Sequence, residues 1–289
     1  MIQTSDILRK VRLLEIRSRR LASQLFTGEY HAAFRGQGMR YREIRDYQPG
    51  DDIRFIDWNV SARYGHPFTK VFEEERALQV LFLVDISKSM HAGTVQLKKE
   101  RAIEIAATLA FSAALNQDQV GAVLFDNQIY KILKPAKGSQ QVLLLIRQLL
   151  QTESSANHTN YEPAFRAAHQ LAGRKGVCFL ISDFTGDHLD PGIRAIAKHF
   201  DLIGVHIYDP VDQILPEAEI LRVQDAEQGQ TRLIDTGDAF VRYEYEQDFL
   251  RHHEKIKALF RSSGAELVSV RTDDDYIKVL QKFFLKRIR

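Results

Sequence analysis

The chain has a single cysteine, Cys178, and none with which to pair it. A disulfide framework is therefore excluded, and a reducing compartment fits. Set in the apolar run VCFLIS, this cysteine reads as a small core residue. No stretch approaches the roughly 20 apolar residues that span a bilayer. The N-terminal MIQTSDILRKVRLLEIRSRR lacks the continuous apolar segment of a signal peptide, so a soluble, cytoplasmic protein is expected. Charge of neither sign dominates: the net is +2 over 289 residues, which gives no global argument for nucleic acid. Familiar catalytic signatures are missing as well. There is no G-x-x-x-x-G-K-[ST] phosphate loop, GQGMRY does not complete a dinucleotide fingerprint, and RHHEK (251–255) lacks H-E-x-x-H spacing.

What is present suits a globular protein. Hydrophobic residues make up 44% and charged residues 27%, enough to bury a core and to argue against wholesale disorder. Basic charge is concentrated at the start, where residues 1–45 hold ten Arg and Lys against four acids. Residues 5–25 read as an amphipathic helix. Ser5 or Asp6 caps it, Ile7, Val11, Leu14, Leu21 and Leu25 form an apolar stripe, and Arg9, Arg12, Arg17, Arg19 and Arg20 lie opposite. Such a helix suits a membrane surface or an acidic partner, but its narrow stripe suits docking on its own domain better. The following RDYQPGDDIRFIDWNVSARYG interleaves Asp46, Asp51, Asp52 and Asp57 with Arg42, Arg45, Arg54 and Arg63. Acids this dense suit a divalent ion or an ion-paired loop, and the basic neighbours favour the loop. Phe55, Ile56 and Trp58 are expected to be buried.

From residue 77 the pattern changes. The runs VLFLV (80–84), VGAVLF (120–125), VCFLIS (177–182), LIGVHIY (202–208) and ELVSV (266–270) read as strands, the first four as buried on both faces. Helical stretches lie near 96–115, 139–151, 161–172, 190–200, 240–263 and 274–286. FDNQIYKIL suggests a hairpin through Asp126-Asn127, and LRVQDAEQGQTRLIDT a second one turning near Gly229, an insertion over about 214–238. Alternation of this kind predicts an α/β fold: a doubly wound, mostly parallel, Rossmann-like sheet over 77–289, with a helical and irregular N-terminal extension over 1–76.

In such sheets ligands gather at the carboxyl ends of the strands, where strand order reverses. Asp85 ends the run in VLFLVDISKSM and Asp183 follows VCFLIS, so both carboxylates face one edge. Thr159 precedes a helix that begins with Glu162-Pro163, which brings it to the same edge. Together with Ser87 and Ser89, these residues form a set of hard oxygens that favours Mg²⁺ or Mn²⁺ over zinc or copper. A serine nucleophile has less support, because Ser87 and Ser89 lack the G-x-S-x-G elbow and neither His91 nor His158 has an evident orienting partner. A simple helix cap would account for one hydroxyl only.

Asp85-x-Ser87-x-Ser89, followed by Thr159 and then Asp183, resembles the metal-ion-dependent adhesion site of von Willebrand factor A domains. The upstream YREIRDYQPGDDIRFIDWNVSAR, continuing to KVFEEER, is similar to the hallmark of the domain-of-unknown-function family numbered 58. The resemblance implies that Ser87, Ser89 and Thr159 offer hydroxyls to a Mg²⁺ ion while Asp85 and Asp183 act mainly through bound water. It also implies a protein-binding module rather than an enzyme, with a MoxR-type AAA+ ATPase or that ATPase's client as partner. A rival expectation is a Mg²⁺- or Mn²⁺-dependent hydrolase of phosphate esters.

Overall fold

A computed structural model describes residues 4–25, 40–51, 53–73, 77–154, 156, 158–173, 176–186, 189–224 and 231–288. The chain divides into two compact units, one formed by Met1–Ala33 with Leu78–Arg289 and the other by Phe34–Ala77. The stretch expected as one extension is thus split, because its first helix packs within the larger unit.

That helix, α1 (Thr4–Leu25), lies on helices later in the chain. Val11, Leu14 and Leu21 are half-buried, as the stripe predicts, but the fully buried positions are Ser18 and Ala22. Small side chains there let two helix backbones approach closely. The side chains of Ile7 and Leu25 lie outside the described residues, while Leu13 and Ile16 are exposed.

The smaller unit pairs β1 (Arg40–Asp46) with β2 (Phe68–Glu73) in an antiparallel ribbon, with a short helix α2 (Trp58–Tyr64) between them. Its acids are taken up by local structure. Asp57 caps α2 by accepting from the Asn59 and Val60 amides and pairs with Lys70 at 3.1 Å. Asp51 pairs with Arg45 at 2.7 Å and Asp46 with His66 at 2.8 Å. Gly65, at φ 78°, supplies the left-handed residue that ends α2. Trp58 departs from expectation. It opens α2 and is 70% exposed, although Ser61, one turn further on, is buried. Asp52 lies outside the described residues.

The larger unit is built on a six-stranded sheet. Its strands are β3 (Gln79–Asp85), β4 (Gln119–Phe125), β5 (Ile129–Lys137), β6 (Gly176–Ser182), β7 (Phe200–Tyr208) and, after the hairpin β8 (Ile220–Gln224) and β9 (Thr231–Asp235), β10 (Glu266–Arg271). The spatial order is β10-β7-β6-β3-β4-β5, parallel except for β5. Numbered within the unit this is 3-2-1-4-5-6, the doubly wound order, and the direction of winding reverses between β3 and β6. The β4–β5 hairpin through Asp126-Asn127 and the β8–β9 pair match the sequence reading; the turn at Gly229 lies outside the described residues.

Helices α3 (Lys98–Leu115), α4 (Ser139–Gln151), α5 (Glu162–Leu171), α6 (Leu189–Ala197), a one-turn α7 (Pro210–Gln213), α8 (Ala239–Ser262) and α9 (Tyr276–Ile288) complete the unit. Alternation along the strands sends Leu81, Leu83, Val123, Phe125, Cys178 and Leu180 to one face, where they pack with Ala164, Phe165, Ile193, Ile196, Ile256 and Phe260 of α5, α6 and α8. On the other face Phe82 and Phe179 stack at 5.4 Å beneath α3. Alanines at 102, 106, 107, 110, 113 and 114 let α3 fit between the sheet and α1, so most of its circumference is buried.

Candidate functional site

All seven residues of β3 are buried, and its last, Asp85, reaches the carboxyl edge of the sheet at the reversal point. Beyond it Ile86 still bonds to the β4 carbonyl of Phe125 (2.9 Å), which carries the chain straight out of the strand. The chain then folds into a 3-10 turn (Lys88–His91) with Ser87 at its start. Asp85 Oδ1 accepts the Ser87 amide at 2.8 Å, and Asp85 Oδ2 accepts the Ser182 hydroxyl at 2.6 Å. The hydroxyls of Ser87 and Ser89 lie 3.0 Å apart.

Asp183 arrives from β6 by a sharp turn. Phe184 holds φ at 56°, a left-handed conformation that bulky residues seldom adopt. Packing keeps it there: Phe184 is 2% exposed, lies against Tyr161, His206 and Phe260, and donates its amide to Ser182 Oγ at 3.0 Å. The turn aims the Asp183 carboxylate back toward β3, where it accepts from Ser89 and Thr185. Since Ser182 donates to Asp85, Tyr161 donates to Ser182 (2.8 Å), giving a chain from Tyr161 through Ser182 to Asp85.

Thr159 is buried and packs against Gly186, three residues beyond Asp183. A Cβ on Gly186 would lie 2.7 Å from the Thr159 carbonyl oxygen, so only glycine permits this approach. The buried Asp126 at the end of β4 steadies the Thr159 loop, its carbonyl accepting the Asn160 amide (3.0 Å) and its carboxylate the Ser154 hydroxyl (2.6 Å). Asp85, Ser87, Ser89 and Asp183 thus form one cluster, with Thr159 on the loop packed beside it.

Electrostatics within the cluster are uneven. Burial first, and the negative charge of Asp183 second, push Asp85 up to about 7. For Asp183 burial also acts upward, but the nearby Lys98 ammonium and several hydrogen bonds prevail and hold it below the ordinary carboxylate value. Lys98 is the residue that sequence reasoning missed. It begins α3, is 5% exposed at its side chain, and reaches Asp183 at 2.8 Å and Asp212 of α7 at 3.3 Å. A signal was available: Lys at the positive end of a helix dipole is unfavourable unless a carboxylate compensates. Asp209, equally unforeseen, accepts from Thr94 Oγ1 (2.7 Å), the Thr94 amide (2.9 Å) and Thr272 Oγ1 (2.6 Å), tying the loop before α3 to the ends of β7 and β10.

The arrangement suits a hard cation. It offers two facing carboxylates, Asp85 raised by burial and by Asp183 and Asp183 lowered by Lys98 and its hydrogen bonds, and adjacent hydroxyls with no soft donor among them. Among the described residues, no group of three or more His, Cys, Asp and Glu side chains is disposed to hold a metal, so any ion here depends on the hydroxyls. A serine nucleophile gains nothing from the geometry. His91 donates to the Ser87 carbonyl (3.2 Å) rather than facing a hydroxyl, and His158 is exposed. Cys178 is fully buried, and burial pushes its thiol up, away from reactivity.

No helix among the described residues is long and apolar enough to cross a membrane. Uncharacterized proteins of Mycobacterium tuberculosis and Mycobacterium bovis are each 28% identical to this chain over 284 residues, covering 96% of it and 89% of their own length. Among solved structures, the conserved hypothetical protein BatB from Bacteroides thetaiotaomicron aligns with TM-score 0.48 and 18% identity, over 73% of this chain and 98% of its own. The VWA domain of SpRpn10 aligns with TM-score 0.41 and 8% identity, over 71% and 94%. Neither adds to what the strand order already states. Residues 43–255, well over half of the chain, match the family described as Protein of unknown function DUF58, and the chain belongs to that family.

Proposed function

We propose that this protein is a binding module that holds one Mg²⁺, with Mn²⁺ as a substitute, at the β3–β6 edge and uses it to engage an acidic side chain of a protein partner. The observation that carries the reading is the pairing of two buried carboxylates, Asp85 and Asp183, with the touching hydroxyls of Ser87 and Ser89 at the reversal point of the sheet. An ion there would supply an open position for a partner's carboxylate. Ser87, Ser89 and Thr159 would present hydroxyl oxygens, while Asp85 and Asp183 supply the charge. The hydrogen-bond chain from Tyr161 and the turn at Phe184 hold those carboxylates in place before any partner arrives. The resemblance of the sequence to families that accompany MoxR-type AAA+ ATPases supports such an ATPase, or its client, as the partner. The single buried cysteine agrees with a cytoplasmic setting.

The test is partner capture by the full chain in Mg²⁺, in EDTA and with Asp85→Ala, alongside melting with and without Mg²⁺. Binding and a metal-dependent rise in melting temperature should both vanish in the Asp85→Ala protein. Partner binding that persists in EDTA would sink the reading. Turnover of a phosphate ester that Asp85→Ala removes would favour a hydrolase instead.

A further inference from the structure

We propose that Lys98 is a tethered counter-cation: it holds Asp183 when the β3–β6 edge carries no metal and passes to Asp212 when a divalent cation is loaded. The inference rests on the metal-binding reading of the same edge and assigns its control. Three observations support it. The Lys98 ammonium sits between two carboxylates, 2.8 Å from Asp183 and 3.3 Å from Asp212. The Lys98 and Asp183 side chains are 5% and 2% exposed, so water screens their attraction little, whereas Asp212 is 35% exposed. Finally, Lys98 stands at the start of an 18-residue helix, where the dipole opposes a positive charge and nearby carboxylates offset it.

An ammonium and a divalent ion cannot share the Asp183 carboxylate without repelling each other at short range. Lys98 therefore limits metal affinity, and the transfer has a nearby receiver. Asp212 Oδ2 already accepts the Asp209 amide at 2.8 Å, closing the capping box of α7, and α7 leads into the β8–β9 hairpin. Movement of Lys98 onto Asp212 would carry the loaded state of the edge to the segment that bears the hairpin. Neither Lys98 nor Asp212 is needed as a ligand to the ion.

Isothermal titration with Mg²⁺, together with melting in EDTA and in saturating Mg²⁺, tests this on the full chain. Lys98→Met should melt lower in EDTA and regain most of that loss in Mg²⁺, with Mg²⁺ bound at least about tenfold tighter than by the wild type. Asp212→Asn, at a half-exposed position that should not endanger folding, removes the receiver and should weaken Mg²⁺ binding by about threefold or more. A lysine with a merely structural role would lower the melting temperature equally in both buffers and leave affinity unchanged. If Lys98→Met does not fold, the Asp212→Asn titration decides alone. Equal Mg²⁺ affinity across the proteins that fold overturns the role of Lys98 while leaving the metal site standing. Absence of Mg²⁺ binding in the wild type overturns both.

Discussion

In EDTA, Asp85→Asn should stabilise the protein, although it alters a buried residue toward which two donors point. Burial first and Asp183 second raise Asp85 from 3.8 to about 7. The folded chain therefore holds this proton more tightly than the unfolded chain, and between those two values stability falls as pH rises. At about 1.4 kcal/mol per unit, the ionised carboxylate costs the metal-free fold about 4 kcal/mol above pH 7. Asparagine cannot ionise, but it matches only one of the two donors, Ser182 Oγ and the Ser87 amide, at a loss of about 1–2 kcal/mol. The net gain at pH 8 is then about 2–3 kcal/mol, shrinking toward zero at pH 5. The difference between the two pH values, about 3 kcal/mol, is independent of the hydrogen-bond loss. Urea denaturation of both proteins in EDTA at pH 5 and pH 8 measures it. An effect of the same size at both pH values would refute the electrostatic argument. In Mg²⁺ at a hundred times Kd the wild type should gain about 2.7 kcal/mol and the Asp85→Asn protein nothing.

His206 should work in the opposite direction. Burial first, then the neighbouring His253, lower it to about 3, so it stays neutral in the fold, and stability is present above about 6.5 and lost as pH falls. From pH 6.5 to 5 this amounts to about 2 kcal/mol, and His206→Gln should flatten that part of the curve; an unchanged slope would count against it. Gly186→Ala should cost about 1–3 kcal/mol, because the new Cβ meets the Thr159 carbonyl at 2.7 Å, and it should also weaken the Mg²⁺ response. A destabilisation with full metal response would show that Thr159 lies outside the ion's reach. At the α1 contact, Ala22→Leu should lower stability by about 1–3 kcal/mol by overpacking, read from denaturant midpoints. A neutral result would mean that α1 sits loosely.

Much of the fold could be read from local pattern. Four apolar runs buried on both faces, separated by helix-length stretches, specify parallel strands whichever residues fill them, and β3, β4, β6 and β7 appear where those runs lie. The same holds for the β4–β5 hairpin at Asp126-Asn127 and for the start of α5, which Glu162-Pro163 announces. Asp85 and Asp183 were identifiable as edge residues because each directly follows such a run. Trp58 was misjudged for a physical reason: an aromatic side chain is buried on average, but that average does not say whether any apolar surface covers one position of a short helix.

The sequence by itself therefore determined the class of fold, the sheet edge that Asp85 and Asp183 reach and the acids and hydroxyls that stand there, since period and strand termini are local properties. Only tertiary structure decided how those groups are poised. Ser18 and Ala22, not the apolar stripe alone, seat α1, because helix approach depends on the smallest side chains at the contact. Asp183 is aimed by a left-handed Phe184 that no propensity would place there and that packing and the bond to Ser182 Oγ sustain. Lys98, 85 positions from Asp183 in the chain, becomes its nearest cation only when α3 folds over the β3–β6 edge, for charge pairing depends on distance through space, which sequence separation does not reveal.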